Sequence, residues 1–453
     1  MQEKVHTKKV HMISLGCPKN LVDAEMMLGS LSNAQYNVTQ EAETADTIII
    51  NTCSFIEESR KESVQTILEM AQITSKDKNK KLVVTGCLPQ RYKDELVESL
   101  PEVDLFIGSG EFQNIGKIIE ENRAGKEQKS FFHLPTFLQQ KETPRLISGP
   151  KHRAFLKISE GCKKRCAFCA IPKIRGNLQS RNIDAIISEA RLLAAGGVKE
   201  LIIVSHDFTD YGWDLRRANP ETTDNNVDLL KALDKVEGIE WIRIMYLYPD
   251  GITKGFLDLL KTSKKILPYF DMPLQHISDP MLKAMNRKMT KAEILERLQW
   301  IREVMPDAVI RTQFIVGFPG ESQTDFQELL NFIEDFRFDR VGCFQYSKEE
   351  HTAAGRLNDQ VSEILKQERF DQVMALQANI SRQMHARFIG RTMPVLVEGY
   401  SEESELLLQG RMAGQAHEID GVVYINDGKA NMGEFVNVMI TDSHDYDLVG
   451  HIV

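Results

Sequence analysis

The strongest constraint on the fold of this 453-residue chain is a set of three short apolar segments, each followed by a cysteine. The cysteines, Cys17, Cys53 and Cys87, are 36 and 34 residues apart, about the length of one strand, one helix and their connections. The residues between them have helical periodicity, which predicts a parallel sheet covered on both faces. Because parallel strands point the same way, these sheet cysteines are predicted to meet at the carboxyl edge, where open α/β sheets bind ligands.

A second α/β series follows a stretch without periodicity, which we interpret as a linker. Six strand-like segments with helical segments between them predict a partial or full βα barrel, ended by a long helical stretch at about 361–385. Four short alternating strands, TMPVLVEG, ELLLQGRM, GVVYIND and EFVNVMIT, are separated by Gly and Asp and predict a small all-β barrel. The predicted fold is multidomain α/β, with an N-terminal parallel α/β domain at 8–125, a linker at 126–147, a βα barrel at 148–380 and a β-barrel at 383–453.

The composition is that of an ordinary globular chain, with 42% apolar and 27% charged residues. No apolar run approaches the ~18 residues that a membrane helix needs. The N-terminal stretch MQEKVHTKKVHMISLGC is interpreted as a charged lead into the first strand, not as a signal peptide. We therefore expect a cytoplasmic protein without a membrane partner, whose cysteines serve metals or catalysis. Disulfides are rare in that compartment.

Three further cysteines form the motif C-x3-C-x2-C in GCKKRCAFCA, directly after the first strand of the predicted barrel. These barrel cysteines are Cys162, Cys166 and Cys169. The basic residues 163–165 argue against a buried core and are expected to lower the thiol pKa. Zinc sites and ordinary iron–sulfur clusters take four protein ligands, and no fourth cysteine or histidine follows nearby. An inert role, a zinc site completed from elsewhere and a three-thiolate cluster with one open iron are the alternatives.

The sheet cysteines offer a second set of three thiols. A single cysteine at a strand end is usually a buried apolar residue, but three at corresponding strand ends indicate a shared metal site. They would again leave one iron open. The seventh cysteine, Cys343, lies in the apolar run RVGCFQYS and is interpreted as a core residue.

The barrel motif resembles that of the radical S-adenosylmethionine (SAM) superfamily, in which C-x3-C-x2-C follows the first barrel strand. Phe168 corresponds to the aromatic residue before the last cysteine. The resemblance implies a [4Fe–4S] cluster on the barrel cysteines, with SAM on the open iron and cleavage of SAM to methionine and a 5′-deoxyadenosyl radical. FIVGFPGE, residues 314–321, resembles the SAM-contacting segment, which implies SAM contacts by Gly317, Gly320 and Glu321 in addition to Phe168. A plain turn without a ligand is the other interpretation of this segment.

The three predicted domains together resemble the methylthiotransferases, and the resemblance covers nearly the whole chain. It implies that the sheet cysteines hold an auxiliary [4Fe–4S] cluster that carries the sulfur, and that the tail is a TRAM-like domain. Two SAM molecules are then used per turnover. One methylates the sulfur, and the other provides the radical that removes hydrogen from a carbon without an acidic proton. An external electron donor is also implied.

Three stretches resemble the branch of this family that modifies the β-carbon of an aspartate of small-subunit ribosomal protein S-twelve: SLGCPKNLVDAEMMLG, WIRIMYLYPDGIT and YFDMPLQHISDPMLKAMNR. The branch that modifies tRNA adenosine has a motif like FGCQMN in place of the first. One departure is VSHDFTDYG, where the ribosomal branch more often has Gln-Asp-Thr-Thr at residues 206–209. His206 is interpreted as a pocket-wall or core residue. We predict the ribosomal-protein activity, with a tRNA adenosine methylthiotransferase as the alternative.

Charge gives an independent argument about the partner. Residues 386–453 contain four Lys/Arg and eleven Asp/Glu, a net charge of −7 within a total of −9. Such a surface repels phosphate and attracts a basic partner, which disfavours nucleic acid as the substrate. A solvated acidic face without a partner is the other interpretation. Outside this family, an iron–sulfur electron carrier and a zinc-bound interaction protein stay open, although a carrier favours a fully ligated cluster.

Overall fold

The computed structural model describes residues 8–141, 143–402 and 404–453. The first seven residues, part of the stretch interpreted as a lead into the first strand, lie outside this range. Among the described residues, no helix combines the length and the apolar character needed to cross a membrane.

The described residues of the N-terminal domain form six strands and five helices. In chain order these are β1 (Lys9–Ser14), α1 (Pro18–Asn33), β2 (Asn37–Val38), β3 (Thr47–Thr52), α2 (Glu57–Thr74), β4 (Lys81–Gly86), α3 (Cys87–Tyr92), α4 (Asp94–Ser99), β5 (Leu105–Gly108), α5 (Ile115–Arg123) and β6 (Ser130–Phe131). The strands form one parallel sheet in the order β2-β1-β3-β4-β5-β6. The three strands predicted from the cysteine spacing are β1, β3 and β4, and they are adjacent in this sheet.

Alternate residues of this sheet are buried in two different cores, as the parallel prediction requires. Ile49 of β3 lies in a core with residues of α1 and α5, whereas Ile48 and Ile50 lie in a second core with residues of α2 and α4. Both faces of the sheet are therefore covered. The edge strand β6 lies within the predicted linker, where two residues give no periodic signal.

The central domain contains eight strands and nine helices. They are β7 (Arg153–Lys157), β8 (Ser159–Glu160), α6 (Ile171–Ile174), β9 (Gln179–Ser180), α7 (Ile183–Ala195), β10 (Glu200–Val204), α8 (Trp213–Ala218), α9 (Asn226–Leu233), β11 (Trp241–Ile244), α10 (Lys254–Thr262), β12 (Tyr269–Gln275), α11 (Asp279–Ala284), α12 (Lys291–Val304), β13 (Val309–Val316), α13 (Gln323–Phe336), β14 (Arg340–Gln345) and α14 (Glu363–Ala386). Six parallel strands form two sheets, β11-β10-β7 and β12-β13-β14, joined by a bridge between Ile242 and Ile266. The barrel is therefore partial.

The tail is a closed five-stranded barrel. Its strands are β15 (Thr392–Ser401), β16 (Ser404–Met412), β17 (Val423–Asp427), β18 (Phe435–Ser443) and β19 (Leu448–Ile452), in the order β15-β16-β17-β19-β18. The sequence predicts the first four strands and misses β19, because Gly450 and His451 interrupt its apolar pattern.

The tail barrel lies against the amino ends of the βα-barrel strands. Trp241, the first residue of β11, packs edge-on against Phe435 with ring centroids 4.8 Å apart. Tyr269, the first residue of β12, donates its hydroxyl to Asp420 over 2.7 Å. The N-terminal domain instead contacts the carboxyl ends of the strands, where barrel enzymes place their chemistry.

Candidate active site

The barrel cysteines lie in the loop after β8, at the carboxyl end of the barrel, and each is partly exposed. The backbone amide of Cys169 donates to the carbonyl of Cys166 over 3.1 Å, and the amide of Cys162 donates to Gly176 over 3.2 Å. These bonds hold the loop in a turn that presents three thiols from one short segment.

Burial raises the pKa of the Cys162 and Cys169 thiols to about 12. The expectation that residues 163–165 lower the thiol pKa is therefore wrong, because the ammonium groups of Lys163 and Lys164 are paired with carboxylates instead. Their partners are Asp207, Asp210 and Asp250. A metal centre would favour the thiolate forms that burial disfavours. A cation that does contact a barrel thiol is Arg287, whose Nη1 lies 3.6 Å from the Cys166 sulfur.

Phe168 packs in a small apolar cluster beneath the cysteine loop. The cluster includes Phe318 of the FIVGFPGE segment and Tyr346, whose rings are 5.2 Å apart. The structure thus brings the predicted aromatic residue and the predicted SAM-contacting segment to the same side of the barrel mouth.

The FIVGFPGE segment continues β13 into a tight turn. Gly317 and Gly320 have φ values of +70° and +82°, and a Cβ at Gly317 would lie 2.3 Å from Cγ of Lys366. Glu321 is buried, and one of its oxygens accepts bonds of 2.5 Å from the Gly317 amide and from Arg369. Its other oxygen lies 3.0 Å from Nε2 of His276. Glu321 therefore holds the turn through bonds within the protein.

The sheet cysteines follow three adjacent strands. Cys17 precedes α1, which begins with a proline in the first turn, a position that suits its fixed φ. Cys53 directly follows β3, and Cys87 follows β4 as the first residue of α3. Gly16 completes this arrangement, because a Cβ there would lie 2.6 Å from Cβ and 2.9 Å from the sulfur of Cys53. Glycine at position 16 therefore leaves a space beside the thiols, and any larger side chain would fill that space.

Two thiols of this set, Cys53 and Cys87, have raised pKa values. Burial raises the pKa of Cys53, and it raises the pKa of Cys87 to about 12, with further increases from the negative charge that Cys17 would carry. The Cys87 thiol donates to Oδ1 of Asn20 over 3.6 Å. As with the barrel set, three thiolates this close together require a positive centre.

The two cysteine sets lie on facing loops. Cys87 is packed in one apolar cluster with Ala170, the residue after the last barrel cysteine, and Ile174 of α6. Ser109 at the end of β5 donates its hydroxyl to the carbonyl of Ile174 over 2.9 Å. The carboxyl edge of the sheet and the mouth of the barrel therefore share one interface.

A buried ionic network connects the two sets. Arg175 donates to Asp23 over 2.6 Å, to Glu160 over 3.2 Å and to Oδ1 of Asn20. Lys157 binds the same two carboxylates. All these side chains are buried. The sequence analysis missed them, since Asp23 and Arg175 are separated by 152 positions and only the polar residues on the otherwise apolar α1 give a hint.

A second ionic contact holds the domains together on the other side of the mouth. Glu349, in the loop after β14, is buried and binds Arg60 of α2 and Arg91 of α3. Arg91 also donates to the carbonyl of Ser54, the residue after Cys53, over 2.6 Å. The N-terminal domain is thus attached at two places around the cysteines.

Cys343 and His206 were given no metal role in the sequence analysis. Cys343 lies in the barrel core, which confirms its interpretation. Burial lowers the pKa of His206 to about 3, so this imidazole is neutral at the barrel mouth. It follows β10 and lies on the wall of the interface between the domains.

Within residues 8–453, apart from positions 142 and 403, no three His, Cys, Asp or Glu side chains are close enough together to hold a single metal ion. In an iron–sulfur cluster each iron takes its own thiolate, so the thiolates stand farther apart than the ligands of one ion.

Comparison with protein-family models gives three matches along the chain. The uncharacterized protein family UPF0004 matches residues 9–108, the radical SAM superfamily matches 156–333, and the TRAM domain matches 389–453. Among solved structures, the radical SAM methyltransferase TsrM from Kitasatospora setae shares 13% identity with a TM-score of 0.53, covering 74% of this chain and 73% of its own. This likeness concerns the fold.

Curated relatives match over the full length. The protein named ribosomal protein uS12 methylthiotransferase RimO from Bdellovibrio bacteriovorus is 63% identical, covering 100% of this chain and 99% of its own. The protein of the same name from Geobacter sulfurreducens is 48% identical, over 98% and 99%. The three-domain order, the two cysteine sets at one interface and these full-length matches agree, and the chain belongs to the RimO family of radical SAM methylthiotransferases.

Proposed function

We propose that this protein attaches a methylthio group to the β-carbon of an aspartate of ribosomal protein uS12, the S-twelve protein of the small subunit. The observation that supports the proposal is the meeting of two three-cysteine sets at one interface, in a chain that is 63% identical to a uS12 methylthiotransferase over its full length. A transfer that needs both a radical and a sulfur source requires the two to be neighbours.

The residues present fit two cluster sites. Each set offers three thiols, and Gly16 leaves space beside the sheet set. Burial raises the pKa of Cys87 and of Cys162, so these two thiols stay protonated unless a positive centre binds them. We assign Cys17, Cys53 and Cys87 to an auxiliary [4Fe–4S] cluster and Cys162, Cys166 and Cys169 to a SAM-binding one. When bound, the clusters and SAM supply the radical and the sulfur. Phe168, Gly317 and Gly320 shape the SAM site, and Glu321 holds its turn.

The proposed domains are the auxiliary-cluster domain at 8–125, the linker at 126–147, the radical SAM core at 148–380 and the TRAM-like barrel at 383–453. Helix α14 spans the last boundary and connects the core to the tail. The buried networks around the cysteines exclude water from the interface between the N-terminal domain and the core. They also hold the segments that carry the two cysteine sets in fixed positions.

The surface of the tail supports a basic protein substrate. Its basic residue Arg411 is buried in ion pairs with Glu200 and Glu398, and Arg387 is paired with Asp339, so neither offsets the surface charge. Six acidic residues are exposed in the described part of the tail: Glu402, Glu405, Glu418, Asp427, Glu434 and Asp442. An electronegative surface of this kind attracts a basic protein and repels tRNA. The function places the protein in the cytoplasm and requires an external electron donor.

Mass spectrometry of uS12 from cells with and without this protein tests the proposal. We expect one aspartate of uS12 to lose the mass of a methylthio group minus one hydrogen when the protein is absent. The modification should return when the wild-type gene is restored, but not with Cys166→Ala. Unchanged uS12 together with altered tRNA would refute the proposal in favour of the tRNA activity.

A further inference from the structure

Lys19 is a buried cation at the barrel mouth that has no carboxylate partner. Its side chain is only 6% exposed, and no Asp or Glu among the described residues forms an ion pair with it. Other buried cations of the interface are paired, since Lys157 and Arg175 share Asp23 and Glu160. Because a buried ammonium without a carboxylate partner is unfavourable, this exception suits Lys19 to binding an anionic group.

The surroundings of Lys19 are those of a binding position. Its ammonium donates to the carbonyl of Ser205 over 3.2 Å and lies 3.9 Å from the ring centre of Tyr246, which leaves donor capacity unused. The hydroxyl of Ser205, which is fully buried, and Nδ1 of His206 have no hydrogen-bond partner in the described part of the chain. Buried polar atoms without partners are rare, and here they adjoin an unpaired cation.

The position of Lys19 relates it to both cysteine sets. It lies two residues after Cys17 in the sheet set, while its side chain reaches the loops after β10 and β11 at the barrel mouth. A group held by Lys19 would therefore lie at the interface where radical and sulfur chemistry must meet.

We propose that Lys19 binds the side-chain carboxylate of the substrate aspartate. The inference rests on the function proposed above and adds the residue that selects the reacting side chain. The β-carbon of aspartate is bonded directly to its carboxylate carbon, so anchoring the carboxylate positions the carbon that reacts. The ammonium supplies a charge-assisted bond to one oxygen, and the Ser205 hydroxyl is a donor for the other. Asparagine has the same shape but no charge, so it should be a poor substrate.

The test compares two forms of uS12, one with the modified aspartate and one with asparagine at that position, on reconstituted full-length enzyme. Wild-type enzyme should prefer the aspartate form in kcat/KM by roughly 10- to 100-fold, the value of one charged hydrogen bond. Lys19→Met, which keeps the length but removes the charge, should bring the ratio close to one, and Lys19→Arg should keep most of the preference. A matched control is Lys265→Met, since Lys265 donates to the Val236 carbonyl near the amino end of the barrel.

Affinity for each form of uS12, measured by fluorescence anisotropy, gives a readout that does not depend on turnover. Lys19→Met should lose the difference between the two forms, and Lys265→Met should keep it. A Lys19→Met enzyme that still prefers aspartate would overturn the proposal. So would a wild-type enzyme that modifies asparagine as well as aspartate, a result that needs no variant to fold. If wild-type enzyme leaves uS12 unmodified, the proposed function itself fails instead.

Discussion

A fully buried glutamate joins the tail barrel to the radical SAM core. Glu200, the first residue of β10, accepts bonds from Arg243 of β11 over 2.7 Å and from Arg411 of the tail strand β16 over 2.5 Å. Neither Glu200 nor its two partners is accessible to solvent. We expect Glu200→Gln to weaken the attachment of the tail, because the amide cannot balance the two guanidinium groups.

The size of the effect follows from the pKa of this carboxyl group. Arg411 and Arg243 overcome the burial of Glu200 and lower its pKa from 4.5 to about 2. A difference of about 2.5 in pKa corresponds to about 3 kcal/mol in favour of the ionised form in the folded protein. Glu200→Gln should therefore destabilise the docked tail by about 3 kcal/mol, within the range for breaking a buried ion pair.

The molecule contains a natural reporter of tail docking. Trp241 packs edge-on against Phe435 of the tail with centroids 4.8 Å apart, so its emission should change when the tail leaves. With Trp213 and Trp300 replaced by Phe in every variant, Trp241 is the remaining tryptophan. At an m-value of roughly 1–3 kcal/mol/M in urea, Glu200→Gln should lower the Trp241 transition midpoint by about 1 M or more at pH 7.

The control is Glu240→Gln, at an exposed glutamate that immediately precedes β11. The pH dependence gives a second check, made on cluster-free protein. A carboxyl group whose pKa is lowered by folding stabilises above its unfolded value of 4.5 and loses that contribution as the pH falls towards 2. The difference between wild type and Glu200→Gln should shrink over this range. Equal midpoints for Glu200→Gln and Glu240→Gln at pH 7 would refute the reasoning.

Three further predictions concern the interface at the cysteines. Cys166→Ala should abolish SAM cleavage, measured as methionine formation. Cys53→Ala should keep some SAM cleavage but end methylthio transfer. Normal methylthio transfer by Cys53→Ala would contradict the two-cluster proposal. Arg175→Met should lower the free energy of unfolding by about 3–5 kcal/mol. In a variant that keeps cysteines at the sheet set only, Arg175→Met should also speed the loss of iron–sulfur absorbance when a chelator is added. Arg181→Met, the control, should not change that rate. Glu349→Gln, which leaves two arginines unpaired, should increase hydrogen exchange of its loop, and unchanged exchange would exclude a clamping role.

Strands with long apolar patterns were predicted correctly from the sequence, and very short strands were not. Strand β3 is buried at all six positions and is therefore visible as a continuous apolar run, as parallel strands usually are. The two-residue strands β2 and β6 form only because a longer neighbour supplies a pairing edge, which no local pattern reports. The sequence did not distinguish a partial barrel from a full one, because strand pairing across the Ile242–Ile266 bridge depends on tertiary structure.

The site was predictable to the extent that its chemistry is local in the chain. The barrel cysteines lie within eight residues, and the sheet cysteines recur at the spacing of a βα unit, so both sets are visible. The charges between them are not, because Asp23, Glu160 and Arg175 come from two domains and each is unremarkable in its own segment. The pKa expectation for the barrel thiols failed for the same reason, as the aspartates that pair with the neighbouring lysines lie more than 40 residues away.

The two ends of the barrel differ in one respect that bears on function. At the amino end, each buried arginine between core and tail has a carboxylate: Arg243 and Arg411 share Glu200, and Arg311 binds Asp271. Ion pairing of this kind suits a permanent attachment. At the carboxyl end, Lys19 is buried without an ion pair to any carboxylate of the described residues. This difference between the two ends supports the proposal that the carboxyl end of the barrel binds the carboxylate of the substrate.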